Sequence, residues 1–215
     1  MKTNPLQISA VIPAYNEAAF IRLSVEALKA QDIDPVSYEI IVVDNNCTDD
    51  TAKIAASLGA RVVTESKAGV GHARAAGFAI ATAPLIATTD ADSAVPSNWL
   101  SSILDAFEDS AVVAVGGPVT YDISSEVMHA VVNRSIPYLH EIDRLIHANA
   151  YHLIGANMAV RRTAFDQVGG WKSSLSLGEA AVGQAGRVSG SGFLARRNAR
   201  EAAGAGSRAS EFVPG

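Results

Sequence analysis

Short apolar runs alternate along this chain with segments in which apolar residues recur every three or four positions. The runs predict strands over residues 7–14, 38–45, 61–66, 85–90, 111–121 and 153–162. The periodic segments predict helices over residues 16–31, 48–59, 69–83, 96–109 and 125–150. Because strands that alternate with helices are typical of βαβ units, we predict an α/β fold with a mainly parallel central sheet.

Single residues predict where these helices begin and bend. Asn16 and Thr48 are residue types that cap helix N-termini, so we expect the first two helices to begin directly after them. Pro137 falls inside the long segment 125–150 and predicts a break or a kink there.

The composition and charge limit the classes of function. Of the 215 residues, 48% are apolar and 18% are charged, as in a globular protein with a substantial core. The net charge of -5 gives no basic surface for nucleic acid, so we expect no nucleic-acid partner. Cys47 is the single cysteine, and no apolar run has the length of a membrane span or a secretory leader. We therefore expect a cytoplasmic protein without a transmembrane segment.

The composition changes near Gly178. From there onward alanine, glycine, serine and arginine predominate, and the apolar periodicity disappears. Such a composition is typical of disordered segments. We predict one domain over residues 1–178, followed by a tail over residues 179–215 that is disordered or not native to the domain.

Two carboxylates, Asp90 and Asp92, lie at the end of the apolar run that begins at Leu85. A carboxylate at the end of a buried strand is costly to desolvate, and two close together repel each other. We therefore expect a cation, a basic side chain or a ligand beside them. Their hard oxygen atoms suit Mg²⁺ or Mn²⁺, with water and a diphosphate completing the coordination. The alternative is a pair of solvated loop acids.

Polar clusters also follow the first three predicted strands. Because ligands of open α/β sheets bind at the carboxyl ends of the strands, we expect these clusters to form one site. Asp44 is a candidate acceptor for a nucleobase N–H, and Glu17 for a ribose or base, although a turn or a helix terminus accounts for either residue as well. Lys67 and Arg74 are candidate diphosphate contacts, with ordinary surface cations as the alternative.

Residues 69–74 support a second, weaker hypothesis. Their G-x-G-x-x-R pattern partly matches the dinucleotide-binding fingerprint of dehydrogenases, with Asp90 as the later acid. However, Arg74 stands in place of the third glycine, and the pattern follows the third strand instead of the first.

Five segments, taken in order, resemble the family 2 glycosyltransferases, which are nucleotide-sugar enzymes of the GT-A fold. The segments read VIPAYNE, IIVVDNNCTDDT, KAGVGHARAAG, TTDADSAVPSNWL and GANMAVRRTAFDQVGGW. The resemblance implies a GT-A-like (Rossmann-like) nucleotide-diphospho-sugar transferase fold.

The resemblance also implies a role for each matching position. Those implied to surround the nucleoside are Pro13, Tyr15, Glu17 and Asp44. Lys67 and Arg74 would lie near the diphosphate. Asp90 and Asp92 would belong to the metal–diphosphate site, with Asp92 as the direct metal ligand. Those implied to border the transferred sugar and the acceptor are Gly155, Ala156, Asn157 and Trp171.

The implied reaction moves a sugar from a UDP- or GDP-sugar to a hydroxyl of a saccharide or lipid-linked acceptor, with inversion at the anomeric carbon. A divalent metal, Mn²⁺ or Mg²⁺, would stabilise charge on the leaving group, and a base would take the acceptor proton. A lipid-linked acceptor would place the protein peripherally at the inner membrane.

One position departs from the family's pattern. The family carries Glu-Asp after the GGW turn, and this aspartate is its usual base, but here Ala180 follows Glu179. The composition changes at the same place, which suggests that the family's last functional segment is missing. Glu179 is the candidate substitute base. The alternative function is a nucleotide-sugar-binding domain that cannot complete the transfer.

Overall fold

The computed structural model describes residues 5–122, 125–146, 153, 155–170, 187–190 and 195–198. Within these ranges, no helix has both the length and the apolar content of a membrane span. Trp171, Glu179 and Ala180 lie outside the described residues, so the roles predicted for them stay predictions.

The elements follow the predicted alternation of strands and helices. The strands are β1 (Ile8–Ala14), β2 (Tyr38–Asp44), β3 (Arg61–Thr64), β4 (Leu85–Thr89), β5 (Ser93–Ala94), β6 (Val112–Gly116), β7 (Val119–Asp122), β8 (Asn157–Arg161), β9 (Arg187–Gly190) and β10 (Ala195–Asn198). The helices are α1 (Ile21–Lys29), α2 (Thr51–Ser57), α3 (Val70–Ile80), α4 (Trp99–Ala106), α5 (Glu126–Ile146) and α6 (Arg162–Gln167). A 3₁₀ turn, Pro35–Ser37, leads into β2.

The larger sheet has the strand order β3-β2-β1-β4-β8-β6-β9. The strands β3, β2, β1 and β4 are mutually parallel, whereas β8 runs antiparallel to both β4 and β6. The α/β class and the mainly parallel sheet are therefore confirmed. The carboxyl ends of β1, β2 and β4 lie at one edge of this sheet, where a ligand site is expected.

A second sheet of three strands has the order β5-β10-β7. Its middle strand β10 and the edge strand β9 of the larger sheet both come from residues 179–215, whose composition predicted disorder. β9 pairs with β6, and β10 pairs with β5 and β7, so backbone pairing gives these residues a place in the sheets that composition does not reveal. The division of the chain at residue 178 stays a prediction.

The predicted starts of the first two helices are wrong. Helix α1 begins at Ile21 because Asn16 adopts a left-handed φ of 54° and bonds to another loop instead of capping its own helix. Its side-chain oxygen accepts from the backbone N–H of Thr48 at 2.7 Å, and α2 accordingly begins later, at Thr51. Pro137 lies inside α5, which runs without a break from Glu126 to Ile146, so of the predicted break or kink only the kink stays a prediction.

Apolar side chains cover both faces of the sheet. Ile8 and Ile12 of β1 pack on one face, together with buried residues of α1 and α4, while Val11 packs on the other face with residues of α3. Helix α3 approaches the sheet closely at Gly77, where a Cβ atom would lie only 2.4 Å from Cγ1 of Val11. Helix α3 therefore lies directly against β1 and β2.

Candidate nucleotide-sugar site

A cavity of about 550 Å³ opens at the carboxyl ends of β1 and β4. Its walls come from the loop after β1, the loop after β2, the start of α3, the turn after β4, strand β7 and the residues before β8. Eight of the residues predicted for the site line it, namely Pro13, Tyr15, Glu17, Arg74, Asp90, Asp92, Gly155 and Ala156. The fold therefore brings together most of the polar clusters that follow separate strands in the sequence.

Arg74 and Asp90 form an ion pair in the wall of this cavity. Nη2 of Arg74 lies 2.6 Å from Oδ1 of Asp90, and the side chains are only 11% and 16% exposed. Gly155 packs against the same guanidinium group, since a Cβ atom there would lie 2.3 Å from Cζ of Arg74. Arg74 is thus held by an anion and by a close backbone approach, and is not an ordinary surface cation.

The turn after β4 presents two carboxylates of the type that hard divalent cations prefer. Asp92 lies in the wall and is 4% exposed, and the small Ala91 separates it from Asp90. Among the described residues, no group of three or more His, Cys, Asp or Glu is placed to hold a metal ion. The donor set suits Mn²⁺ or Mg²⁺ only if a bound diphosphate and water supply the other positions, which is the usual arrangement for Mg²⁺.

The N-terminus of α3 reaches the cavity through a loop that Asn45 holds in place. Nδ2 of Asn45 donates to the carbonyl oxygens of Glu65 at 2.8 Å and Lys67 at 2.6 Å, and its Oδ1 accepts from the N–H of Gly69 at 2.8 Å. Gly69 has a φ of 125°, a conformation that glycine adopts without strain. The first N–H groups of α3 consequently face a site where an anion is favourable.

The loops after β1 and β2 are bonded to each other beside the cavity. The N–H of Glu17 donates to Oγ1 of Thr51 at 2.8 Å, and the N–H of Ala18 donates to Oδ2 of Asp49 at 3.1 Å. Burial alone would raise the pKa of Asp49, but the bonds from Thr51 and Ala18 outweigh it, so the pKa lies below its ordinary value. Glu17 is 8% exposed and lies in this bonded loop, not in the first turn of α1 as expected.

The sequence model of glycosyl transferase family 2 matches residues 9–169, which contain every wall of the cavity. The chain belongs to this family. A glycosyltransferase of Mycobacterium tuberculosis is 36% identical over 109 residues, which make up 51% of this chain and 47% of the relative. The chain thus spans about half the length of that relative.

Solved structures confirm the GT-A fold of this family 2 chain. The mannosyltransferase PcManGT from Pyrobaculum calidifontis, in complex with GDP-Man and Mn²⁺, superposes with a TM-score of 0.71 at 19% identity, over 91% of this chain and 57% of that one. TarS 1-349 from S. aureus, in complex with UDP-GlcNAc, superposes with a TM-score of 0.68 at 15% identity, over 91% of this chain and 59% of that one.

Asp44 and Lys67, two of the predicted nucleotide contacts, lie outside the cavity lining. Oδ1 of Asp44 accepts from the N–H of Cys47 at 2.9 Å, which is the turn-forming alternative considered for this residue. Lys67 is exposed, and its carbonyl oxygen is bonded by Asn45. Contacts of these two side chains with a nucleotide stay predictions.

Asn157 lies beneath the cavity instead of in its wall. It is 0% exposed, its Oδ1 accepts from Nε1 of Trp99 at 2.8 Å, and its Nδ2 donates to the carbonyl oxygen of Pro118 at 2.9 Å. The sequence predicted that Asn157 borders the transferred sugar and the acceptor, and this role stays a prediction. Its two hydrogen bonds join the backbone directly after Gly155 and Ala156 to Trp99 and Pro118.

Tyr121 of β7 lines the cavity, although the sequence analysis did not single it out. Its backbone N–H donates to Oδ1 of Asn133 at 2.8 Å, and Nδ2 of Asn133 donates back to its carbonyl oxygen at 2.7 Å. Helix α5 thereby holds β7 at the cavity. No local pattern marks Tyr121, since its position depends on the pairing of β7 with distant elements.

Proposed function

We propose that this chain binds a nucleoside-diphosphate sugar in the cavity and transfers the sugar to an acceptor hydroxyl, with the help of a divalent metal and with inversion at the anomeric carbon. The observation that carries the proposal is the convergence of Asp90, Asp92 and Arg74 with the N-terminus of α3 in one cavity. Family membership supports sugar transfer. The GDP-Man and Mn²⁺ of the mannosyltransferase and the UDP-GlcNAc of TarS support a GDP- or UDP-linked donor.

The two carboxylates have different tasks in this proposal. Asp92 is the direct ligand of Mn²⁺ or Mg²⁺, because Oδ1 of Asp90 already lies 2.6 Å from the guanidinium of Arg74. Asp90, fixed by that ion pair, orients the donor. The metal, when bound, supplies positive charge that stabilises the departing diphosphate.

The remaining walls fit the other parts of the donor. Tyr15 is 62% exposed and offers an aromatic surface to the nucleoside, next to Pro13 and Glu17. The N-terminus of α3 receives the diphosphate, since its N–H groups favour an anion. Gly155 and Ala156 carry little side-chain volume and leave room for the sugar.

The first experiment is calorimetric titration of UDP, GDP and NAD with Mn²⁺ and then with EDTA. We expect UDP or GDP to bind only with the metal, and Asp92→Ala to abolish this binding. Asp105→Ala is the matched control, because Asp105 is an exposed aspartate of α4 outside the cavity lining. Absence of binding by either nucleoside diphosphate would contradict the proposal, and metal-independent NAD binding would favour the dehydrogenase alternative.

Transfer of the sugar, as opposed to binding of the donor alone, requires a base that takes the proton of the acceptor hydroxyl. We propose Glu179 as the base, in the place where the family's aspartate is replaced by Ala180. The replacement itself favours a second candidate, a domain that binds the donor without transferring the sugar. The two candidates are separated by measuring the release of UDP or GDP from the nucleotide sugar, with the wild type and with Glu179→Gln. Release that the wild type shows and Glu179→Gln loses supports transfer, whereas binding without release in the wild type supports the second candidate.

The acceptor class is proposed on the family resemblance. We propose a saccharide or lipid-linked acceptor and a cytoplasmic protein that associates peripherally with the inner membrane when the acceptor is lipid-linked. Transfer from the donor that binds, measured with a soluble saccharide and with a polyprenyl phosphate in detergent, tests the two acceptor classes.

A further inference from the structure

The hydroxyl group of Ser24 lies against the turn that carries the two cavity carboxylates. Ser24 belongs to α1 and is 1% exposed. Its Oγ lies 3.0 Å from the carbonyl oxygen of Asp90 and 3.0 Å from that of Ala91, and it also bonds to the carbonyl oxygen of Ser93. One buried hydroxyl therefore meets three backbone acceptors of a single turn.

This arrangement fixes the backbone of the turn relative to α1. A hydroxyl has one hydrogen and donates to one of the three carbonyl groups at a time. The N–H of Ser93 donates to the carbonyl oxygen of Asp90 at 3.1 Å and closes the turn around the hydroxyl. Asp92 lies between the bonded carbonyl groups, so its backbone position depends on Ser24.

We propose that Ser24 is a positioning residue for the carboxylates of the metal–diphosphate site. The inference rests on the proposed function, because it assumes that Asp92 holds a metal ion. Metal–ligand distances tolerate only about 0.2 Å of error. We expect the turn to shift by more than this when it loses its buried donor, and the metal affinity to fall even though Ser24 does not itself line the cavity.

The hydroxyl is not needed for the apolar packing of α1. Ile21, Val25 and Leu28 are each 0% exposed and form the face of the helix against the sheet. Ser24→Ala keeps this face and removes only the donor, so we expect the variant to fold with a reduced free energy of unfolding.

The experiment compares Ser24→Ala with Ser37→Ala. Ser37 is 2% exposed, and its Oγ donates to the carbonyl oxygen of Asp34 at 2.6 Å in the 3₁₀ turn, outside the cavity lining. Both variants thus lose one buried hydroxyl that bonds to backbone. Free Mn²⁺ is measured by electron paramagnetic resonance during titration in saturating UDP or GDP, and thermal unfolding is measured in parallel.

We expect Ser24→Ala to bind Mn²⁺ about tenfold more weakly than wild type, whereas Ser37→Ala stays within about twofold. Unchanged Mn²⁺ affinity in Ser24→Ala, with a loss of stability like that of Ser37→Ala, overturns this inference alone. A wild-type protein that binds no Mn²⁺ with either nucleotide overturns the proposed function as well. If Ser24→Ala does not fold, Ser24→Cys replaces the hydroxyl by a larger group that is a weaker donor, and an affinity equal to that of wild type overturns the inference.

Discussion

Replacing Gly155 by alanine tests how the cavity wall is built. The new methyl group would lie 2.3 Å from Cζ of Arg74, and 2.5 and 2.6 Å from the two terminal nitrogens. The φ of Gly155 lies outside the left-handed region, so the backbone itself accepts alanine. The cost of the substitution therefore comes from displacing the guanidinium group.

The size of that displacement determines the effect. Ordinary contact with a Cβ atom begins near 3.4 Å, so the guanidinium must withdraw by about 1 Å, the difference between 3.4 and 2.3 Å. The 2.6 Å bond to Asp90 would then lengthen beyond hydrogen-bond range. Because both partners are mostly buried, Gly155→Ala should reduce the free energy of unfolding by about 1–3 kcal/mol.

A double-mutant cycle in urea isolates this mechanism. Arg74→Ala empties the space beside Gly155, so Gly155→Ala should cost less than about 0.5 kcal/mol in that background. Gly59→Ala is the control, because Gly59 has a φ of 89° and nothing lies within 4 Å of its Cβ position. Gly59→Ala should lower the free energy of unfolding by about 1 kcal/mol through backbone strain alone, and by the same amount with and without Arg74. If Gly155→Ala costs the same with and without Arg74, the reasoning is refuted.

Three further substitutions have defined outcomes. Burial alone would raise the pKa of Glu39, but hydrogen bonds and the ion pair with Arg61 outweigh it, so the pKa lies below its ordinary value of 4.5. The contribution of the ionised carboxylate to the free energy of unfolding is therefore complete above pH 4.5 and declines as the pH falls through the lowered pKa. Glu39→Gln should accordingly flatten the acid limb of a curve of the free energy of unfolding against pH. Gly77→Ala, which would place Cβ 2.4 Å from Cγ1 of Val11, should cost about 2–4 kcal/mol in urea unfolding. Trp99→Phe removes the donor to Asn157 but keeps the bond from Asn157 to Pro118, and should cost about 1–3 kcal/mol in urea unfolding.

The convergence of the candidate residues could be predicted because parallel strands end at the same edge of a sheet. Polar residues that follow separate strands, such as Tyr15 and Asp92, therefore meet in one cavity even though 76 positions separate them in the printed sequence. The order of strands and helices was enough for this step. No knowledge of individual contacts was needed.

The contacts within the site could not be predicted from local patterns. Asn16 has the residue type of a helix cap, yet its side chain bonds to Thr48 across two loops, and α1 begins at Ile21. Asn157 falls in a family motif, yet its bond to Trp99 joins residues 58 positions apart and buries the side chain. A polar side chain can hydrogen-bond to several partners, and which of them it bonds to depends on residues that are distant in the sequence.

Three walls of the cavity are held by a side chain that bonds to the backbone of the lining segment. Asn45 bonds the loop before α3, Ser24 bonds the turn after β4, and Asn133 bonds β7. Because these bonds end on backbone atoms, they do not depend on the side chain of the residue whose backbone is held. Tyr121→Phe should therefore alter ligand affinity with a stability change within about 0.5 kcal/mol, whereas Asn133→Ala should lower the free energy of unfolding by about 1–2 kcal/mol. Equal losses of stability in the two variants would show that the tyrosine side chain itself helps to hold the wall.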